Sequence, residues 1–157
     1  MRCLRLMFVV MVPLAWLGLM RPVDAGYRYV LTDMNGQEQD SFTILNVGSF
    51  VDVMVWIEQS GSDDTLLSDE GLFSAAVKLQ FDPVIIGVIS YDHIRQNLAF
   101  DGSNEITRSD NYAAIYEEVS DPVNPVFPEE ESNRIWLGTF RLTALSFGRA
   151  TVTATDL

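Results

Sequence analysis

The chain has 157 residues, about one domain's worth, and its 48% apolar and 20% charged content is that of a globular protein rather than a disordered one. A net charge of −12 repels phosphate backbones and anionic lipid, which excludes generic nucleic-acid and membrane-surface binding. One Cys and one His exclude a disulfide framework, an iron–sulfur cluster and a Cys- or His-based metal centre.

Residues 1–25 read as an export signal. Arg2 and Arg5 precede an apolar run over residues 6–20, and small residues at Val23 and Ala25 occupy the positions that signal peptidase reads. The run is 15 residues long, short of the ~20 that span a bilayer. Cleavage after Ala25 leaves residues 26–157 as a single domain. Loss of Arg2, Arg5, Arg21 and Asp24 takes its net charge to −14. Cys3 precedes the apolar run, so it is no lipobox cysteine and departs with the leader. The product is expected to be secreted, extracellular or at the cell surface.

The remaining chain reads as strands in series. Residues 27–32 are aromatic and β-branched and precede the turn dipeptide Asn35-Gly36. Residues 41–47 (SFTILNV) form a second candidate strand. Over residues 50–58 alternation sets Val51, Val53, Val55 and Ile57 against Asp52, Met54, Trp56 and Glu58. Residues 60–71 form an acidic loop. Residues 72–81 alternate cleanly, with Phe73, Ala75, Val77, Leu79 and Phe81 inward and Ser74, Ala76, Lys78 and Gln80 outward; Asp82-Pro83 ends the strand. Residues 84–91 (VIIGVISY) are the pattern of a strand buried on both faces. A short helical turn is expected within 92–102 and a polar loop over 102–111, while 112–119 fit either strand or helix. Residues 121–131 read as an exposed loop. Residues 134–143 place Trp136, Phe140 and Leu142 on one face, and 150–155 alternate again. About eight short strands without a long amphipathic helix predict an all-β fold, an antiparallel β-sandwich.

Candidate chemistry is sparse. Asp63, Asp64, Asp69 and Glu70 could offer oxygens to Ca²⁺, although their spacing matches no EF-hand loop, nor does that of Asp33-Met34-Asn35-Gly36. A solvated acidic loop is the simpler reading, and no other cofactor is indicated. Glu129, Glu130 and Glu131 repel one another and diverge. Asp92 and His93 lack a nucleophile in any recognisable motif, and no carboxylate pair stands out, so the chain is read as non-enzymatic. Trp136 is assigned to the core. Trp56 is either core or, with Tyr27, Tyr29, Tyr112 and Tyr116, an exposed platform for a polysaccharide.

Several segments resemble cohesin domains. Residues 71–83 (GLFSAAVKLQFDP) followed by 84–90 (VIIGVIS) are similar to the family's strand, aromatic-Asp-Pro turn and apolar strand. Residues 47–55 (VGSFVDVMV) resemble the segment where a Gly-containing turn opens an alternating strand. Residues 134–142 (RIWLGTFRL) and 147–153 (FGRATVT) resemble the last strands. The resemblance covers about residues 41–157 and implies a jelly-roll-like sandwich serving as a binding or scaffolding module. It further implies a dockerin-type protein partner, received on one sheet face by apolar contacts rimmed with hydrogen bonds. Ser74, Ala76, Lys78 and Gln80 form a small and polar strip suited to that role. The alternative is a carbohydrate-binding module built around Trp56. Calcium, held by some family members, is the one ion the resemblance adds. Because the chain stops at Leu157 straight after a strand pattern, a closing strand, an anchor or a further domain is expected to be missing there.

Overall fold

A computed structural model describes residues 26–39, 41–44, 46–60, 66–128 and 133–157. Nine strands are present among them: β1 (Gly26–Thr32), β2 (Phe50–Ser60), β3 (Ser74–Phe81), β4 (Ile86–Gly87), β5 (Ile94–Gln96), β6 (Asn104–Arg108), β7 (Tyr112–Glu118), β8 (Arg134–Ala144) and β9 (Val152–Asp156). One five-residue helix, α1 (Leu66–Glu70), and a single 3₁₀ turn at Tyr91–His93 complete the regular structure of the described residues. The strands form two antiparallel sheets. The five-stranded sheet runs β1-β2-β8-β4, with β5 beside β8, and the four-stranded sheet runs β6-β7-β3-β9. Among the described residues no helix is long and apolar enough to cross a membrane.

The core lies where the inner faces of the two sheets meet. Val53, Val55 and Ile57 of β2 face Val77, Leu79 and Phe81 of β3, as their alternation requires, and Ile115, Phe140 and Leu142 fill the space between. Tyr29 closes one edge of the sandwich. Its hydroxyl donates to the Ala76 carbonyl at 2.9 Å and to Asp156 Oδ1 at 2.6 Å, tying β1 to β3 and β9. Tyr29 is therefore a structural latch between the sheets, not part of a sugar platform.

The structure departs from the sequence expectations in specific places. Residues 41–44 form no strand, although Phe42 and Ile44 still pack on the core. Of the apolar run 84–91 only Ile86 and Gly87 pair, and Val84 and Ile89 are exposed. The expected loop 102–111 contains β6, an edge strand whose exposed side leaves it little apolar pattern. The most consequential correction concerns Trp136. Opposite β2, the register passes from Val55↔Gly138 to Trp56↔Trp136, leaving Leu137 as an extra residue. This bulge resets the alternation of β8. Ile135 and Leu137 turn inward, at 2% and 0% exposure, and Trp136 turns out, half-buried on the outer face beside Trp56.

Gly138 sits at the bulge because nothing larger fits. A Cβ there would lie 2.5 Å from Ile115 Cδ1 and 2.6 Å from the Arg95 carbonyl oxygen. The second neighbour is backbone of β5 and cannot rotate away. Gly138→Ala is thus expected to destabilise the fold by about 1–3 kcal/mol through overpacking. Chemical denaturation would measure it, and wild-type stability in the variant would show that β5 is free to shift.

A carboxyl group also occupies the core. Glu117 follows Ile115 on the inner face of β7 and is fully buried. Its Oε1 accepts the Asn97 backbone N–H at 2.7 Å, whereas Oε2 has no partner among the described residues. Burial pushes the group up to about 8, against the modest opposing effect of the Asn97 hydrogen bond. In the unfolded chain the same carboxyl titrates near ~4.3. Between these values the folded state holds a proton that the unfolded state lacks, so this group's contribution to stability falls as pH rises. Glu117→Gln, which mimics the protonated form, should therefore melt several degrees above wild type at pH 8 and close to it at pH 4. Parallel melting curves for the two proteins across that range would refute the assignment.

Candidate docking face

The two sheets turn chemically different outer faces to solvent. On the five-stranded sheet two pairs of outward side chains bond across β2 and β8, while the buried indole N–H of Trp136 has no partner among the described residues. Arg141 reaches Asp52 through two hydrogen bonds, at 2.7 and 2.8 Å, and its guanidinium lies 3.9 Å from the centroid of the Phe50 ring. Hydrogen bonding by Arg141 holds the Asp52 carboxyl below the usual carboxylate range. Further along, Glu58 is shared between Arg28 and Arg134, and Glu38 bonds both arginines from the turn after β1. Burial acts to raise the Glu58 carboxyl, but these two guanidinium groups outweigh it and hold it low.

Trp56 belongs to this bonded surface. It pairs across the strands with Trp136 and donates its indole N–H to Thr32 Oγ1 at 2.9 Å. The ring is half-buried, flanked along β2 by Met54 and by the paired Glu58. A sugar-stacking platform needs a free, exposed ring, and Trp56 does not provide one. Tyr27 is exposed at the start of β1, and Tyr112 and Tyr116 lie on the other sheet, so the sequence-predicted aromatic set is not assembled.

The outer face of the four-stranded sheet is left open. Ser74, Ala76, Lys78 and Gln80 project from β3 as the alternation predicts, since Val77, Leu79 and Phe81 are buried. Register places Glu118, Tyr116, Ala114 and Tyr112 of β7 opposite them in that order. On the other side Thr155 and Thr153 of β9 stand opposite Lys78 and Gln80. Glu105 and Thr107 of β6 extend the face beyond β7. Among these side chains one mutual hydrogen bond forms, from the Tyr116 hydroxyl to Glu118 Oε2 at 3.0 Å. The result is a surface of Ala76, threonine and serine with two half-buried tyrosines, beneath which Ala114 is fully buried. Small residues and unspent hydrogen-bonding groups suit a protein partner. Sequence reasoning located the β3 strip but missed Tyr112 and Tyr116 as its neighbours, because 112–119 could not be assigned to a strand without knowing its partner.

The other candidates do not converge. Asp69 and Glu70 are exposed at the end of α1, while Asp63, Asp64 and the Glu129–Glu131 run lie outside the described residues. Among the described residues no three His, Cys, Asp or Glu side chains come together as metal ligands. A cleft of about 700 Å³ lies between residues 39–47 and 146–152, walled by Phe42, Ile44, Val51 and Leu142; the one ionisable side chain among its described residues is Arg149.

The Asp52–Arg141 pair makes a separate prediction. Because Arg141 lowers the Asp52 carboxyl, the stabilisation is present above ~4, the unfolded value, and is lost as pH falls through the lower folded value. Asp52→Asn is expected to cost about 1–2 kcal/mol at pH 7 and progressively less as pH falls below ~4. A loss that does not shrink as pH falls would show that the pair contributes packing rather than charge.

No protein-family model matches the chain, and no curated protein matches it. Solved structures do. The cohesin of OlpA from Clostridium thermocellum, in a type I complex with the Doc918 dockerin, is similar at a TM-score of 0.52 and 9% identity, over 83% of this chain and 86% of that one. The sixth cohesin of scaffoldin B from Acetivibrio cellulolyticus, in complex with a Cel5 dockerin mutant, aligns at a TM-score of 0.47 and 18% identity over 71% and 74% of the two chains. The first of these likenesses, with the two-sheet topology, identifies the fold: the chain is a cohesin-like β-sandwich.

Proposed function

We propose that this protein is an exported, non-catalytic attachment module that receives a dockerin-type protein on the outer face of its four-stranded sheet. Residues 1–25 serve as the cleaved export signal and residues 26–157 as the binding domain. The observation that carries the reading is the contrast between the two faces of a cohesin-like sandwich. On one face Asp52, Glu58, Arg28, Arg134, Arg141 and the Trp56 indole are bonded within the protein, which leaves Arg95 as its unpaired charge among the described residues. The other presents Ser74, Ala76, Lys78 and Gln80 between Tyr112, Tyr116 and a row of threonines, nearly all unbonded. A partner covering that second face gains apolar area on Ala76 and the tyrosines and needs to break almost no internal bond. The OlpA cohesin, of similar fold, was solved bound to a dockerin. Polysaccharide binding has no comparable support, because the half-buried Trp56 ring is committed to Thr32.

The test is calorimetric titration of the exported, purified protein with the dockerin modules encoded in its source genome. At least one is expected to bind with a Kd of about 1 μM or tighter, as interfaces of ordinary size do. Ala76→Arg, a bulky charge at the centre of the face, should weaken that binding at least ~tenfold. Asp52→Asn, on the opposite face, should leave it unchanged. Failure of every dockerin to bind, or insensitivity to Ala76→Arg, overturns the reading.

A further inference from the structure

Lys78 is the only lysine in the chain, and β3 carries it to the middle of the open face. Directly across on β7 stands Ala114, on β9 Thr155, and along its own strand Ala76 and Gln80. None of these bears a charge. The carboxylates on this face lie toward one end. Glu118 is opposite Ser74, four residues or ~13 Å along the strand from Lys78, and accepts the Tyr116 hydroxyl. Glu105 is opposite Tyr116 on the outlying strand β6. Lys78 is half-buried, and it makes no hydrogen bond or ion pair among the described residues. By contrast Arg28, Arg134 and Arg141 of the other sheet are each bonded to a carboxylate.

A lone ammonium amid small neutral side chains, in a chain of net charge −12, is the place on this face where an anion is attracted most. A partner lying across Ala76 and Ala114 removes water from that ammonium. If the partner brings no acid, a buried unpaired charge remains, which acts against such partners as strongly as a matched acid acts for the right one. We propose that Lys78 is the specificity-determining residue of the docking face and recognises an Asp or Glu side chain on a helical protein partner. The proposal rests on the docking assignment above. The small side chain of Ala76 lets a helix approach closely, and Tyr112 and Tyr116 offer apolar contact two residues to either side of the buried Ala114. The acidic end at Glu118 favours a basic residue on the same helix about nine positions from the acid, since nine residues rise ~13.5 Å.

The test uses a displayed library of two-helix modules, randomised at exposed positions and selected on the exported protein. Selected binders are expected to carry an Asp or Glu whose replacement by the amide weakens binding ~30-fold or more, the range for a desolvated charge pair. Lys78→Gln should weaken it equally, and the two changes together should cost no more than either alone. Carbodiimide activation of the binder's carboxylate should join it to Lys78 Nζ with release of the urea, a crosslink located by mass spectrometry. Binders that Ala76→Arg abolishes but Lys78→Gln does not would overturn the acid-recognition proposal and leave the docking face standing. Binders indifferent to Ala76→Arg would overturn both. Selection of polygalacturonate over the helical modules, with loss on Lys78→Gln, would assign the lysine to an acidic glycan instead and refute the protein partner.

Discussion

The antiparallel pairing of β2 with β8 organises the five-stranded sheet, because both are eleven-residue strands and every other strand of that sheet attaches to one of them. A single irregularity within this pairing, the extra residue at Leu137, determines what each face becomes. Without it, the alternation that sends Phe140 and Leu142 inward would send Trp136 inward as well. Ile135 would then be exposed. The bulge lets β8 bury Ile135, Leu137, Phe140 and Leu142 together and delivers Trp136 to the outside, where it meets Trp56. Close passage of the β5 backbone at Gly138 is a consequence of the same distortion, as bulges bend the strand that contains them.

From that pairing follows the asymmetry of the molecule. The outer row it creates brings Asp52 beside Arg141 and Glu58 beside Arg134, so the arginines of β8 find acids on β2 at matched register. These pairs, the Arg28 bond to Glu58 and the indole bond to Thr32 engage five charged side chains and Trp56 of that face, though not Arg95 or the buried Trp136 N–H. The four-stranded sheet has no equivalent. Its central strands β3 and β7 contribute alanines at Ala76 and Ala114 and no pair of opposite charges in register. Sheets of a sandwich share one core, yet their outer faces are independent, and here one carries several cross-strand ion pairs while the other carries the single bond from Tyr116 to Glu118.

Much of this architecture is legible in the sequence, and the failures have particular causes. Strands with one wet face, β2 and β3, announce themselves by strict alternation, and the outward strip from Ser74 to Gln80 reads correctly for that reason. Tertiary context hides the rest. Trp136 cannot be placed because alternation assumes an unbroken ladder, and a bulge is a property of two strands rather than one. β6 is invisible because an edge strand pairs on one side only and carries little apolar pattern. Residues 84–91 look like a buried strand because a continuous apolar run carries no alternation, yet Val84, Ile89 and Tyr91 are exposed and only Ile86 and Gly87 pair. Tyr112 and Tyr116 join the face through register with β3, a relation that no local spacing encodes.

Glu117 exposes the limit of reading burial from residue type. A Glu following an apolar stretch suggests the return of solvent, and its neighbour Glu118 is indeed exposed, but strand geometry forces consecutive side chains to opposite faces and consigns Glu117 to the interior. Its Oε1 there accepts the Asn97 N–H, which also lies 3.3 Å from the Leu137 carbonyl at the bulge. The buried carboxyl thus fastens the four-stranded sheet to the irregular part of the other one, at the cost of an unpartnered oxygen. A neutral, protonated Glu117 satisfies that position better than a charged one, so the same packing that exposes Trp136 and constrains Gly138 also makes the junction between the sheets sensitive to protonation. Outward and inward chemistry thus meet on one strand: Tyr112 and Tyr116 look outward from β7, while Ile115 packs in the core and Glu117 holds the Asn97 N–H.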